Sequence, residues 1–327
     1  MILAPLRGVT VRCFRKTFAE ILSACGFSEA ITPFIPAMPG LDPLKDRELR
    51  VQPSPSAAAA LRVTPQFIGK DPEALRACLR RIREAGYGTA DLNCGCPYPM
   101  VRNKGRGSGL LRTPDVLRRM LEVGCEEMGP GRFSVKTRLG VERPDELLAL
   151  MPMINAFPLR FLTVHARTAR QMYGAACDWP AFRAVQSIAK VPLIANGDLD
   201  LKGDDLKGDR PLSVSGEPKR GQTPDLKGDR PLSDSETFDE KRKFCSDLPI
   251  MVGRSFVRFL GTRPDAVMLL VRYAEASAAE LSGDRSVLGR LKELLAYWKD
   301  QPAWRRRWNV LKMCRSLDEF LWCLDSP

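Results

Sequence analysis

Residues 66–97 read QFIGKDPEALRACLRRIREAGYGTADLNCGCP. Gln66–Ile68 is a short run whose pattern predicts a strand. Pro72-Glu73-Ala74-Leu75 then opens a helix, with proline near the first position, where its missing N–H is no loss. Ala90–Asn93 is the next strand. Strand, helix and strand within about thirty residues form the repeating unit of a parallel sheet. The same alternation extends in both directions. Further strands are read at Ile2–Ala4, Ala30–Thr32, Ser134–Thr137, Leu162–His165, Pro192–Ala195 and Ile250–Val252. Over 14–22, Phe14, Phe18, Ile21 and Leu22 share one helical face. Thr113 precedes Pro114 and is read as a helix N-cap, and Asp178-Trp179-Pro180 starts another helix. Eight strands alternating with helices predict an α/β protein built as a (β/α)8 TIM barrel, whose active site lies at the C-terminal strand ends. A doubly wound open sheet is the rival, but no G-x-G-x-x-G follows the first strand.

The strand pattern stops near Arg263. The expected organisation is a barrel over 1–262 and a small all-helical C-terminal domain over 263–327. Trp304 through Leu324 reads as one helix, with Trp308, Leu311, Cys314 and Leu317 three residues apart. Residues 281–316 hold nine Lys/Arg and three Asp/Glu. Arg305, Arg306 and Arg307 stand between Trp304 and Trp308, a mixture that suits phosphate contact and base stacking. A solvated helix face over buried tryptophans is the other reading. The segment 200–234 repeats Asp-Leu-Lys-Gly-Asp at 200–204, 205–209 and 225–229, with no aromatic residue and eight acidic against seven basic residues. It is expected to be a low-complexity, disordered insert between the last two strands.

Composition narrows the class. The chain has 327 residues, 44% of them hydrophobic, which excludes a disordered polymer. The apolar run Ala266–Val271 is far short of the roughly 18 residues a membrane span needs. Met1–Arg7 shows no secretory pattern, so a cytoplasmic protein without membrane contact is expected, with its ten cysteines reduced. One histidine and no C-x-x-C pair argue against a metal site. A formal charge of +12 favours a polyanionic partner such as nucleic acid. A monomer is expected.

Nearly every strand ends in polar or glycine-rich sequence, and a barrel gathers such ends into one mouth. Asn196-Gly197 and Gly253-Arg254 offer backbone N–H groups and a guanidinium for a phosphate. Lys136 is a fixed cation suited to an electron-rich ring. Gln66 and Asn93 supply amide donors and acceptors for a planar heterocycle. Cys96 is a candidate acid or nucleophile, against the ordinary reading of an inert small hydrophobe. His165 is either a site residue or a satisfied strand-end histidine.

Leu3-Ala4-Pro5-Leu6-Arg7-Gly8-Val9-Thr10, Asp91-Leu92-Asn93-Cys94-Gly95-Cys96-Pro97, Val135–Gly140, Val164–Thr168, Ile194–Asp198 and Met251–Arg254 occur in the order of the tRNA-dihydrouridine synthases, a family the chain resembles over 1–199 and 236–260. The Leu-Asn-Cys-Gly-Cys-Pro form and the Asp178-Trp179 segment are most similar to the bacterial C-type branch, which modifies uridine 16. The resemblance implies an FMN-dependent oxidoreductase that takes electrons from NADPH and reduces a uridine in tRNA. It implies flavin contacts at Pro5, Leu6, Arg7, Gln66, Lys136, Asn196, Gly197, Asp198, Gly253 and Arg254, with Cys96 as proton donor. Asn93, His165 and Arg167 match positions near flavin or substrate, and the helical tail carries the tRNA grip. The chain departs from the family pattern at Val11, where an aspartate is usual, and at Thr32-Pro33-Phe34. Two other functions are weighed: an FMN barrel reductase of a free pyrimidine, for which the basic tail has no use, and a catalytically idle tRNA-binding paralogue, against which Cys96, Lys136 and His165 stand.

Overall fold

In the computed structural model every strand runs parallel to its neighbours. The structure describes residues 1–49, 61–199 and 248–325; the segment 200–234 lies outside them. The strands are β1 (Ile2–Leu3), β2 (Glu29–Ile31), β3 (Ile35–Pro36), β4 (Arg62–Thr64), β5 (Gln66–Ile68), β6 (Ala90–Cys94), β7 (Phe133–Gly140), β8 (Leu162–Thr168), β9 (Leu193–Asn196) and β10 (Ile250–Val252). Two pairs are halves of single barrel strands. Pro33 falls between β2 and β3, and Pro65 between β4 and β5, where a residue without an N–H cannot donate to the ladder. Because β2 pairs with β4 and β3 pairs with β5, the ring of eight closes: β10 also pairs with β1, and β1 with β2.

Side chains alternate with period two along each strand. Ile2, Ala4, Ile31, Phe161, Ile194 and Met251 point inward and fill the barrel floor. Leu92, Val135, Leu162 and Leu193 point outward into one core with the surrounding helices. These include α3 (Pro72–Glu84), α5 (Pro114–Met128), α6 (Glu146–Ile154) and α7 (Trp179–Ile188). At the N-terminal end Arg160 grips both oxygens of Glu29 at 2.6 Å, and Thr64 donates to the same carboxylate at 2.6 Å. Removing one partner from such a buried pair costs roughly 3–5 kcal/mol.

Three local readings need correction. The stretch 14–22 is two helices, α1 (Arg12–Thr17) and α2 (Ala19–Ala24), broken at Phe18, yet Phe14, Phe18, Ile21 and Leu22 still enter one core. The Thr113 hydroxyl does not cap α5; it donates back to the Leu110 carbonyl at 3.3 Å. The stretch 304–324 is also two helices.

After the short α4 (Pro99–Arg102) and the last barrel helix α8 (Arg254–Leu260), the tail comprises α9 (Ala266–Ala278), α10 (Asp284–Leu295), α11 (Pro302–Leu311) and α12 (Leu317–Asp325). The break before α12 is a capping arrangement: Ser316 Oγ accepts from the Glu319 N–H at 3.1 Å, and Glu319 reaches back to the Arg315 N–H at 2.6 Å. The tail shares a core with α1, α2 and α8. Tyr273 meets Phe14 edge-on at 5.8 Å, and the Trp298 and Trp304 indoles donate to the Val257 and Gly261 carbonyls at 2.6 and 2.7 Å. Trp304 is therefore a core residue and no base-stacking platform.

Candidate active site at the barrel mouth

Strand register puts the polar side chains at matching heights. Asn93 on β6 faces Lys136 on β7, Arg138 on β7 faces His165 on β8, and His165 faces Asn196 on β9. All lie on the inward parity of their strands, because Leu92, Val135 and Val164 take the outward one.

Two hydrogen-bonded chains hold this layer. In the first, Ser134 and Gln66 donate to the two oxygens of Asp91, each at 2.7 Å, and Asn93 donates to Gln66 Oε1 at 2.7 Å. Asn93 Oδ1 then accepts from the Gly95 and Cys96 N–H groups at 3.1 and 2.9 Å. The turn carrying Cys96 is thus fixed from inside the barrel. Burial raises the Asp91 carboxyl to about 6, while the two donors oppose the shift. In the second chain, Lys136 Nζ donates to Asn196 Oδ1 at 2.8 Å, and Asn196 Nδ2 donates to the Met251 carbonyl at 2.8 Å. Burial, then Arg138, brings the Lys136 ammonium down to about 7.

The next layer is cationic. Arg138 donates to the carbonyls of Gly95, Thr168 and Met172 at 3.0, 2.9 and 2.8 Å, and its guanidinium lies 5.3 Å from the Tyr173 ring centre. Met172 takes φ +48°, a left-handed conformation that costs about 1–3 kcal/mol in a non-glycine residue, and its carbonyl is one of the three on Arg138. Arg254 packs on the same Tyr173 ring at 4.8 Å. Arg167 ion-pairs with Asp198 at 2.5 Å and approaches His165 Nε2 at 3.1 Å. A guanidinium can only donate, so His165 Nε2 carries the lone pair and Nδ1 the proton. Burial, followed by Arg138, Lys136 and Arg167, pushes His165 well below its ordinary range and keeps it neutral.

Cys96 is 7% exposed, and burial raises its thiol. Its carbonyl accepts from Ser108 N and Ser108 Oγ at 3.2 and 2.8 Å, which docks the loop after α4 against it. Pro5, Leu6 and Arg7 form the β1 turn, locked by Thr10 Oγ1, which accepts from the Leu6 N–H at 2.7 Å and contacts the Ala4 carbonyl at 2.9 Å. Arg7 is exposed over Phe34 at 5.3 Å. Gly253 abuts this turn: a Cβ there would stand 3.0 Å from Ala4 Cβ. The tail also reaches the turn, since a Cβ on Gly8, at φ +83°, would lie 2.5 Å from Glu293 Oε1.

Sequence reasoning placed Asn93, Cys96, His165, Arg167, Asn196, Gly197, Asp198, Gly253 and Arg254 at or just beyond the C-terminal strand ends, Gln66 at the start of its strand and Lys136 on its strand; the structure has Gln66 first in β5, Lys136 within β7, and the others in the last part of their strands or just after them. Arg305 and Arg306 are exposed on α11, and Arg307 donates to the Leu324 carbonyl at 2.5 Å, a bond internal to the tail. Asp91 and Tyr173 were not singled out, and Arg138 was noted on its strand beside Lys136 without a role. Inward parity identifies Asp91 and Arg138, each two residues from a chosen position; Tyr173 sits in a loop with no such signal. Chemically, the donor set fits a flat, hydrogen-bonding, anionic group. Side-chain amides line one side; Arg167 and Arg254 lie 2.5 and 3.8 Å from Asp198, Lys136 acts on Asp91 through charge, and Arg138 is held by carbonyls. The Thr163 hydroxyl, beside Lys136 in register, is buried without a partner.

Comparison with known proteins gives this geometry a family. The chain is 29% identical to a probable tRNA-dihydrouridine synthase of Rhodobacter capsulatus over 222 residues, 66% of this chain and 64% of that protein. It is 29% identical to tRNA-dihydrouridine synthase B of Vibrio cholerae over 202 residues, 61% of this chain and 60% of that protein. It is 30% identical to tRNA-dihydrouridine(16) synthase of Escherichia coli (strain K12) over 207 residues, 61% and 64% of the two chains. The matches thus span less than two thirds of each relative's length. The model of the dihydrouridine synthase (Dus) family matches residues 2–207, well over half of the sequence, and with its motifs converging on one barrel mouth the chain belongs to the dihydrouridine synthase family.

Proposed function

We propose that this chain reduces a uridine of tRNA to 5,6-dihydrouridine at the barrel mouth, with FMN as resident cofactor and NADPH as reductant. The observation that carries the reading is Cys96, buried on a turn held by Asn93, in the same mouth as the Lys136–Asn196 and Arg138–Tyr173 groups. FMN, when bound, supplies the hydride for the 5,6 double bond. Cys96 Sγ holds the proton for the other carbon, and its burial keeps it a thiol where a free cysteine, near 8.5, starts to ionise. Gln66, Lys136 and Asn196 would hold the flavin ring, and Gly197, Gly253 and Arg254 would hold its phosphate. Pro5, Leu6 and Arg7 close one side, and Asp198 fixes Arg167 and through it His165. Asn93, Arg138 and Tyr173 bound the substrate side. The base must leave its stack to reach this mouth, and the basic tail, with Arg305, Arg306 and Arg307, grips the rest of the tRNA.

Among the described residues no helix is long and apolar enough to cross a membrane; the reading takes the protein as a cytoplasmic monomer, with the barrel over 1–262 and the tail over 263–327. Relatives named B and (16) match almost equally, so uridine 16 is the first position to examine rather than a consequence of identity. The test maps dihydrouridine in tRNA from a strain lacking the gene, then complements with wild type and Cys96→Ala. Wild type restores the missing dihydrouridine. Cys96→Ala purifies yellow and is bleached by NADPH, yet restores roughly a hundredfold less or lower, the scale of a lost general acid. A complete tRNA pattern in the deletion strain, or full activity of Cys96→Ala, defeats the reading.

A further inference from the structure

Several arginines on and between the barrel helices are paired. Arg76 and Arg80 converge on Glu127, Arg112 and Arg170 on Glu142, and Arg119 meets Glu122. The rim beside Cys96 is different. Lys70, on the loop after β5, Arg102, at the end of α4, and Lys104 and Arg106, just beyond it, have no ion-pair partner among the described residues. Lys70 and Lys104 are exposed, while Arg102 and Arg106 are half-buried, each with an Nε atom shielded from water and lacking any hydrogen-bond partner. Leaving such donors unmet is costly.

The cations are held together and held near the chemistry. A Cβ at Gly105 would lie 3.4 Å from Lys70 Cδ and 4.0 Å from its Nζ, so the two loops touch. Gly105 and Gly107 take φ +71° and +58°, conformations suited to glycine. A Cβ at Gly107 would stand 2.8 Å from Cys96 Cβ, and Ser108 is bonded twice to the Cys96 carbonyl. The segment that presents Arg102, Lys104 and Arg106 is thereby fastened to the residue with the reactive thiol.

We propose that Lys70, Arg102, Lys104 and Arg106 form a clamp for consecutive phosphodiesters of a single RNA strand, those flanking the nucleotide served by Cys96. The inference rests on the proposed function in taking RNA as the polyanion. A nucleotide drawn into the mouth leaves its neighbours unstacked, so the phosphates beside it belong to a local single strand. Forked guanidinium groups suit phosphate oxygens better than point charges do.

The experiment measures the Kd of the flavin-loaded protein for transcribed tRNA between about 50 and about 300 mM salt. The variants are Arg102→Gln/Arg106→Gln and, as a control in the paired network, Arg80→Gln/Arg83→Gln. The first lowers the slope of log K against log salt by about 1.4, two single-strand phosphates at about 0.7 each; the control leaves it unchanged. If the first variant loses flavin or fails to fold, Lys70→Gln/Lys104→Gln, at exposed side chains, gives the same readout. An unchanged slope in a folded variant overturns the clamp, even where dihydrouridine still forms. A reduced slope in a protein that forms no dihydrouridine upholds the clamp as a polyanion site and overturns the activity instead.

Discussion

At the scale of single residues, the mouth concentrates positive charge that only partly finds carboxylates, and Lys136 registers it. An unfolded lysine titrates near 10.4, whereas burial and then Arg138 bring this one to about 7. Between those values the unfolded chain holds a proton that the folded chain has released, so stability increases with pH across that window. Buried thiols act in the opposite direction above about 8.5, because unfolded cysteines ionise there first. The informative comparison is therefore flavin-free wild type against Lys136→Met from about pH 7 to about pH 8.5. Wild type gains melting temperature over that interval relative to the variant. Parallel melting curves for the two proteins would show that Lys136 stays fully charged. The candidate residues here were legible because each strand end is a short, polar break in an apolar run. Tyr173 and Met172 were not, since their position depends on a loop folding back over Arg138, which no local pattern records.

At the scale of elements, the sequence discloses helices and strands better than their ends. Asp71 before Pro72 caps α3, accepting from the Glu73 and Ala74 N–H groups at 3.0 and 3.2 Å, and Asp178 accepts from the Ala181 N–H at 2.9 Å ahead of α7. Thr113 stands in the same place before α5 but turns its hydroxyl the other way. The break between α11 and α12 was readable as Ser-x-x-Glu at 316–319, although the three-residue spacing of Trp308, Leu311, Cys314 and Leu317 runs straight across it. The closed ring follows from strand count, and its two split strands follow from Pro33 and Pro65. Packing between elements is less legible, as Gly124 in the middle of α5 shows. Propensity alone says that Gly124→Ala gains about 1 kcal/mol. The added methyl, however, would run into the Phe133 ring at the start of β7, which is fully buried. Overpacking of this kind costs about 1–3 kcal/mol. The substitution should lower the urea midpoint, by a net destabilisation of up to about 2 kcal/mol; a raised midpoint would mean that the ring swings clear and propensity prevails.

At the scale of the whole molecule, the end of the strand pattern near Arg263 marks where the barrel stops along the chain, but a change of secondary structure carries no information about which surfaces share a core. Phe14 and Phe256 on barrel helices, and Phe18 at the break between α1 and α2, share a core with Tyr273, Leu291 and Trp298 of the tail. The two indole bonds to Val257 and Gly261 add directional ties across the same seam. Uncovering five or six such side chains, at about 1.5–3 kcal/mol each, costs on the order of 10 kcal/mol, which matches the whole stability of an ordinary domain at about 5–15 kcal/mol. A chain ending at residue 262 should therefore collect as aggregate or as a molten species that binds hydrophobic dye, and a tail of 263–327 alone should show helix without a cooperative melt. A soluble yellow 1–262 fragment with a sharp thermal transition would show instead that α1, α2 and α8 close over their own aromatic residues. Under the proposed function the fastening has a use. A tail that grips RNA can deliver a nucleotide to the mouth only if its distance from Cys96 is fixed, and misplacing reacting groups by about 1 Å can cost a hundredfold in rate. Glu293 bearing on Gly8 beside the Pro5-Leu6-Arg7 turn extends that rigid connection from the tail to the barrel rim.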